Sequence, residues 1–167
     1  MRDTSRFHYV LGLILITTVS PCFPASQNFP NQQSIYLDAV KEFADNVLKY
    51  GRDTYGPKQT PLFVDGMHTV SLKPVVWKKD GQSWVLSNFA SQQPLIRLLD
   101  GLSVLTNDPK YRRAAMEATR YALKNLQSPS GLLYWGGHVA WDLEEERTVG
   151  QYAGIHEMKV LPEFYAR

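Results

Sequence analysis

Two short segments near the end of the 167-residue chain carry the side chains best suited to chemistry. The Trp-Gly-Gly-His sequence at 135–138 places an imidazole after two glycines, which let backbone approach a ligand closely. His156 and Glu157 then add a second imidazole and a carboxylate. Imidazole nitrogen with carboxylate oxygen suits a divalent transition ion. The spacing therefore indicates either a metal site built from these residues or, as the alternative, hydrogen-bonded structural histidines.

Aromatic and basic side chains form a second group with binding chemistry. Aromatic rings provide flat surfaces on which sugar faces stack, although any one of them can equally belong to the core. The guanidinium of Arg52 either grips a carboxylate with two hydrogen bonds or pairs with the adjacent Asp53 at the surface. The tryptophans are Trp77, Trp84, Trp135 and Trp141, and the lysines of the same region are Lys58, Lys73, Lys78 and Lys79.

Several reaction and binding classes lack their usual motifs. The sequence contains no GxxxxGK[ST], GxGxxG, HExxH, GxSxG or CxxC. Its net charge of +2 is too small for the whole surface to bind nucleic acid, so no nucleic-acid partner is expected. Cys22 is the only cysteine, and a chain cut after Ala25 would therefore have no intramolecular disulfide.

The first 25 residues have the pattern of a secretory signal peptide. Arg2 and Arg6 precede ten uncharged, mostly apolar residues at 10–19, a stretch shorter than the roughly 20 that a spanning helix needs. Residues 1–25 are thus expected to be removed on export to a secreted or periplasmic location, with no stable membrane association afterwards. The alternative is an uncleaved anchor. Residues 26–33 are expected to be a polar lead-in.

The elements that position these residues are predicted to be mainly helices. Apolar residues recur every three or four positions over 35–50, 93–106 and 109–126, and the last two segments form a helical hairpin. Asp80-Gly81 predicts a small β-hairpin, and residues 155–165 begin a fourth helix. We expect an all-α fold over 34–167: an incomplete (α/α) barrel or toroid of helical hairpins with long loops. A small three-helix domain is the alternative.

Five short blocks, in this order and at this spacing, resemble the N-terminal part of bacterial pectate lyases of polysaccharide lyase family 2. The resemblance spans about residues 34–167. The blocks are Gly51–Gly56, Pro61–Gly66, Leu86–Gln93, Tyr134–His138 and His156–Lys159.

The resemblance implies an (α/α) barrel that cleaves polygalacturonate by metal-assisted β-elimination. In that family a transition metal, typically manganese, is held by two histidines and a glutamate, and an arginine is the base. His138 matches the first histidine and Glu157 the glutamate, while Arg52 and Trp135 are assigned to substrate binding. No Arg-His pair follows Glu157, so the base is unassigned and expected beyond Arg167. This chain is then an N-terminal portion with little or no turnover.

Two other functions are compatible with the same residues. A hydrolase on a helical toroid would use two carboxylates among Asp65, Asp142 and Glu157 as acid and base. A non-catalytic protein would bind sugar without cleaving it, or would be an incomplete product with no activity.

Overall fold

A computed structural model describes residues 30–134 and 139–151 together with Glu157. Within these residues the chain forms three helices and one four-stranded antiparallel sheet. The helices are α1 (Pro30–Tyr50), α2 (Gln93–Thr106) and α3 (Pro109–Asn125), and the strands are β1 (Val76–Lys79), β2 (Gln82–Ser87), β3 (Val139–Asp142) and β4 (Arg147–Gly150).

The sheet shows that the expected all-α class, an incomplete (α/α) barrel or toroid, is wrong. The four strands pair in the order β1-β2-β3-β4, each antiparallel to its neighbour. The hairpin predicted at Asp80-Gly81 is present, and these two residues have the positive φ values of 51° and 77° that favour such a turn. The chain combines helices with a sheet because a second hairpin, β3–β4, extends the first one.

The second hairpin is not recognisable in the sequence because its strands are short. The charged run over 142–147 indicates a loop, and in the structure it is the turn across which Asp142 pairs with Arg147. Strands of four residues carry too little alternation to recognise. The pairing of Ser87 with Trp141 joins β3 to β2, a contact between distant parts of the chain that a local pattern does not reveal.

Helices α2 and α3 form the predicted helical hairpin. Asn107 ends α2 in the left-handed conformation, with a φ of 55°. The Asp108 side chain then caps α3 by accepting a hydrogen bond from the Lys110 amide at 3.0 Å. Leu99, Leu102 and the small Ala118 are at most 2% exposed, so these two helices contribute much of the core.

Helix α1 begins at Pro30, before the helical pattern predicted over 35–50. Its C-terminal half packs on the core, where Ala44 is fully buried. On α3, the Tyr111 hydroxyl donates a hydrogen bond to the Asp45 carboxylate at 2.9 Å, which ties α1 to that helix. The N-terminal half of α1 is more open, with Tyr36 69% exposed.

The segment after α1 is ordered by a buried carboxylate. The Asp53 amide donates to the Leu62 carbonyl at 3.1 Å, so the chain pairs with itself across an irregular loop. The Asp53 carboxylate, 2% exposed, accepts hydrogen bonds from the Thr60 amide and hydroxyl and from the Tyr55 amide, at 3.0, 2.6 and 3.2 Å. Asp53 therefore fixes the shape of the 53–62 loop.

The same loop is held against the β3–β4 turn. The Lys58 amide and ammonium donate to the two oxygens of Glu146 at 2.6 and 2.8 Å. A side chain at Gly56 would collide with the Leu143 carbonyl, so the close approach requires glycine there. This contact fixes the turn that carries Arg147 relative to the first part of the chain.

Some predicted segments lie outside the described residues. They are the expected signal peptide at 1–25, the first part of the lead-in at 26–33, and the expected helix at 155–165 apart from Glu157. Among the helices that the structure does describe, none combines the length and apolarity required to cross a bilayer.

Candidate metal centre

Glu157, the predicted carboxylate ligand, is held in place by a serine turn. Its Oε1 accepts a hydrogen bond from the Ser128 hydroxyl at 2.5 Å and another from the Ser130 hydroxyl at 2.8 Å. Its backbone also forms an antiparallel bridge with Tyr134. The backbone and one carboxylate oxygen of Glu157 are thus both fixed, which restricts the orientation of the side chain.

The Ser-Pro-Ser-Gly sequence at 128–131 forms this turn through local hydrogen bonds. The Gly131 amide donates to the Ser128 carbonyl at 2.9 Å, and Gly131 takes a φ of 86°, which favours glycine. The Ser128 amide donates to the Leu132 carbonyl at 2.7 Å. Ser128 is only 5% exposed, and its hydrogen bond to Glu157 is partly buried.

The other predicted residues of this centre, His138 and Trp135, lie outside the described residues, as does His156. Tyr134 and Val139, which flank the 135–138 segment, are described, and both line a small cavity of about 30 Å³. The described ranges, 30–134, 139–151 and Glu157, contain no group of three or more side chains that could hold a metal. They supply one member of the predicted ligand set.

The donor chemistry of Glu157 fits a divalent transition ion. Carboxylate oxygen is an accepted ligand for manganese and related metals, and its outer hydrogen bonds usually set its orientation. The Ser128 and Ser130 hydroxyls donate such outer hydrogen bonds to Glu157. This argument applies to the Glu157 carboxylate as a metal ligand. That His138 binds the same ion stays a prediction.

Arg52, predicted to bind substrate, makes several contacts within the protein. Its Nη1 donates to the Pro61 carbonyl at 2.5 Å, its Nη2 lies 3.4 Å from Glu117, and its guanidinium carbon is 4.6 Å from the centre of the Phe63 ring. Burial lowers the pKa of the Arg52 guanidinium, and the Glu117 carboxylate partly opposes this. These contacts give Arg52 a structural role, and its substrate-binding role stays a prediction.

The other two carboxylates of the hydrolase alternative have different surroundings. Asp142 is 1% exposed and accepts a hydrogen bond from the Glu144 amide at 3.1 Å, which helps to form the β3–β4 turn. Asp65 is partly buried, and burial raises the pKa of its carboxyl group. Asp142 thus has a structural contact of its own, and Asp65 is the more accessible of the two.

Sequence reasoning missed the two serines that contact Glu157. The Ser-Pro-Ser-Gly sequence signals only that the preceding helix ends. Ser128 and Glu157 are separated by 29 positions, so no local spacing indicates their contact. The sequence did contain an indication of these contacts, namely a turn with two serine hydroxyls close to the predicted metal site.

Comparison with known proteins agrees with the resemblance noted from the sequence blocks. The family described as periplasmic pectate lyase matches residues 60–167. A pectate disaccharide-lyase from Dickeya dadantii (strain 3937) is 38% identical over 128 residues. That match covers 74% of this chain and 23% of the relative, so the chain spans about a quarter of the relative's length.

These matches identify the family of this chain. The matched region includes the β3–β4 hairpin as well as the serine turn and Glu157, which are described parts of the candidate metal centre. The chain belongs to the periplasmic pectate lyase family.

Proposed function

We propose that this chain forms part of the active site of a periplasmic lyase that cleaves polygalacturonate by metal-assisted β-elimination. The observation that carries the proposal is the fixed carboxylate of Glu157, held by two serine hydroxyls inside the family-matched region. Residues 1–25 would direct export and be removed, which the mass of the mature protein in a periplasmic fraction tests.

The chemistry of elimination explains why a carboxylate ligand is needed. The reaction removes the proton α to a uronate carboxylate and expels the glycosidic oxygen at the β position. A bound divalent cation, which we propose to be manganese, would neutralise the uronate carboxylate and make that proton more acidic. Glu157 and His138 are the residues of this chain that would hold the cation.

The base and the second histidine are not assigned to residues of this chain. The resemblance expects them as an Arg-His pair, and the segment after Glu157 contains none. A chain of these 167 residues is therefore expected to bind the cation and the saccharide with little or no turnover.

The experiment combines Mn²⁺ binding with product analysis on the purified 167-residue chain. We expect Mn²⁺ binding, detected as loss of the free-ion electron paramagnetic resonance signal, and almost no unsaturated product from polygalacturonate. Unsaturated products absorb near-ultraviolet light, so elimination is easily detected, and a chelator gives the matched control.

Two results would contradict this account. Rapid Mn²⁺-dependent elimination would show that the 167 residues already contain a base. New saturated reducing ends without the ultraviolet absorbance would select the hydrolase alternative instead.

A further inference from the structure

The outward face of the sheet carries an open groove of about 690 Å³ that the candidate metal centre does not include. The groove runs from the β1–β2 hairpin across to β4. We call it the outer groove and define it by six of its lining residues: Trp77, Lys78, Lys79, Trp84, Ala140 and Arg147.

Two indoles lie side by side in the outer groove. Trp77 of β1 is directly opposite Trp84 of β2, and opposite residues of an antiparallel pair project from the same face. Val85, the next residue of β2, is 4% exposed and projects into the core. Trp77 is 49% exposed, so a large aromatic surface faces solvent where a ring could stack on it.

The basic residues around the indoles favour an anionic ligand. Lys78 and Lys79 continue β1 beyond Trp77, and Arg147 approaches from β4 on the other side. Asp65 and Asp80 also line the groove, and Arg147 forms an ion pair with Glu145, so the positive charge open to an anion is that of the exposed Lys78 and Lys79. Burial raises the pKa of the Asp65 carboxyl group.

The outer groove continues toward the candidate metal centre. Ala140 and Thr148 line both this groove and the small cavity beside Tyr134. The Tyr134 backbone in turn bridges to Glu157. A chain-like ligand lying along the outer groove would therefore extend in the direction of Glu157.

We propose that the outer groove binds the part of an oligogalacturonide remote from the bond being cleaved. One sugar face stacks on Trp77 and Trp84, and the uronate carboxylates pair with Lys78 and Lys79. This inference rests on the proposed function for its ligand class, and it adds the residues that bind and their place on the sheet.

The test measures hexagalacturonate binding to the 167-residue chain by calorimetry without added metal. Trp77→Ala and the double variant Lys78→Ala/Lys79→Ala are each expected to weaken binding about tenfold, the usual effect of removing a well-placed interface residue. Trp77→Phe keeps an aromatic ring and is expected to retain most of the affinity. Binding by the unmodified chain is also expected to weaken with salt.

Matched controls are Tyr36→Ala, an exposed aromatic on α1, and Lys124→Ala on α3, and both should leave the affinity unchanged. A thermal melt of each variant shows that it folds. Unchanged affinity in both groove variants would overturn the inference, as would no binding by the unmodified chain or equal binding of a neutral hexasaccharide. Mn²⁺ binding at Glu157 is measured without saccharide, so the proposed function is judged separately.

Discussion

Replacing Glu157 with alanine is expected to weaken Mn²⁺ binding to the 167-residue chain by about tenfold or more. The variant removes a predicted ligand, and loss of an outer hydrogen-bond partner alone commonly reduces metal affinity about 10- to 100-fold. The Ser128 and Ser130 hydroxyls hold one oxygen of this carboxylate at 2.5 and 2.8 Å, so its geometry is set before the ion arrives. Titration followed by the free-ion paramagnetic signal measures the change.

Replacing a serine that contacts Glu157 tests the same site, with a smaller expected loss of Mn²⁺ affinity. Ser128→Ala keeps the carboxylate but removes a hydroxyl that orients it, so a smaller loss of Mn²⁺ affinity is expected than for Glu157→Ala. Glu42→Gln, an exposed carboxylate change on α1, is the control and should leave the affinity unchanged. Equal Mn²⁺ affinity in Glu157→Ala and the unmodified chain would refute the assignment of Glu157 as a ligand.

Replacing Asp53 with alanine is expected to lower the free energy of unfolding by about 3 kcal/mol, because buried donors left without acceptors cost about 1–3 kcal/mol each. The carboxylate is 2% exposed and accepts three hydrogen bonds, two from Thr60 and one from Tyr55. Alanine leaves these donors without that acceptor and opens the 53–62 loop. Urea unfolding followed by circular dichroism measures the loss.

Asp53→Asn separates the hydrogen bonds from the charge. The amide retains one acceptor oxygen, so its destabilisation should be intermediate. Asp38→Ala is the control, because that carboxylate is 70% exposed and its 3.6 Å pair with Lys41 should contribute less than about 0.5 kcal/mol. Similar unfolding free energies for Asp53→Ala and Asp38→Ala would show that the buried network does not stabilise the loop.

The helices could be predicted because their signals are local. The leucines of α2 and the Asp108-Pro109 start of α3 lie within one or two turns of each other, and the structure has both helices at the expected positions. The Asp80-Gly81 turn is equally local, since its conformation requires residues that tolerate positive φ.

The sheet and the environment of Glu157 depend on contacts between distant residues. Strand β3 is stabilised by pairing with β2 at Leu86 and Ser87, and no pattern within its four residues shows this. The contact of Ser128 with Glu157 is of the same kind. The expected all-α fold was wrong for this reason: the β3–β4 hairpin has the composition of a loop but gains its order from tertiary pairing.

Pulsed electron paramagnetic resonance of Mn²⁺ bound to the 167-residue chain tests most directly whether Glu157 and His138 hold one cation. The account predicts a histidine nitrogen coupling to the ion that disappears in His138→Gln and persists in His156→Gln. It also predicts weaker Mn²⁺ binding in both His138→Gln and Glu157→Gln. A bound ion without nitrogen coupling, or unchanged affinity in either of those two variants, would contradict a shared site.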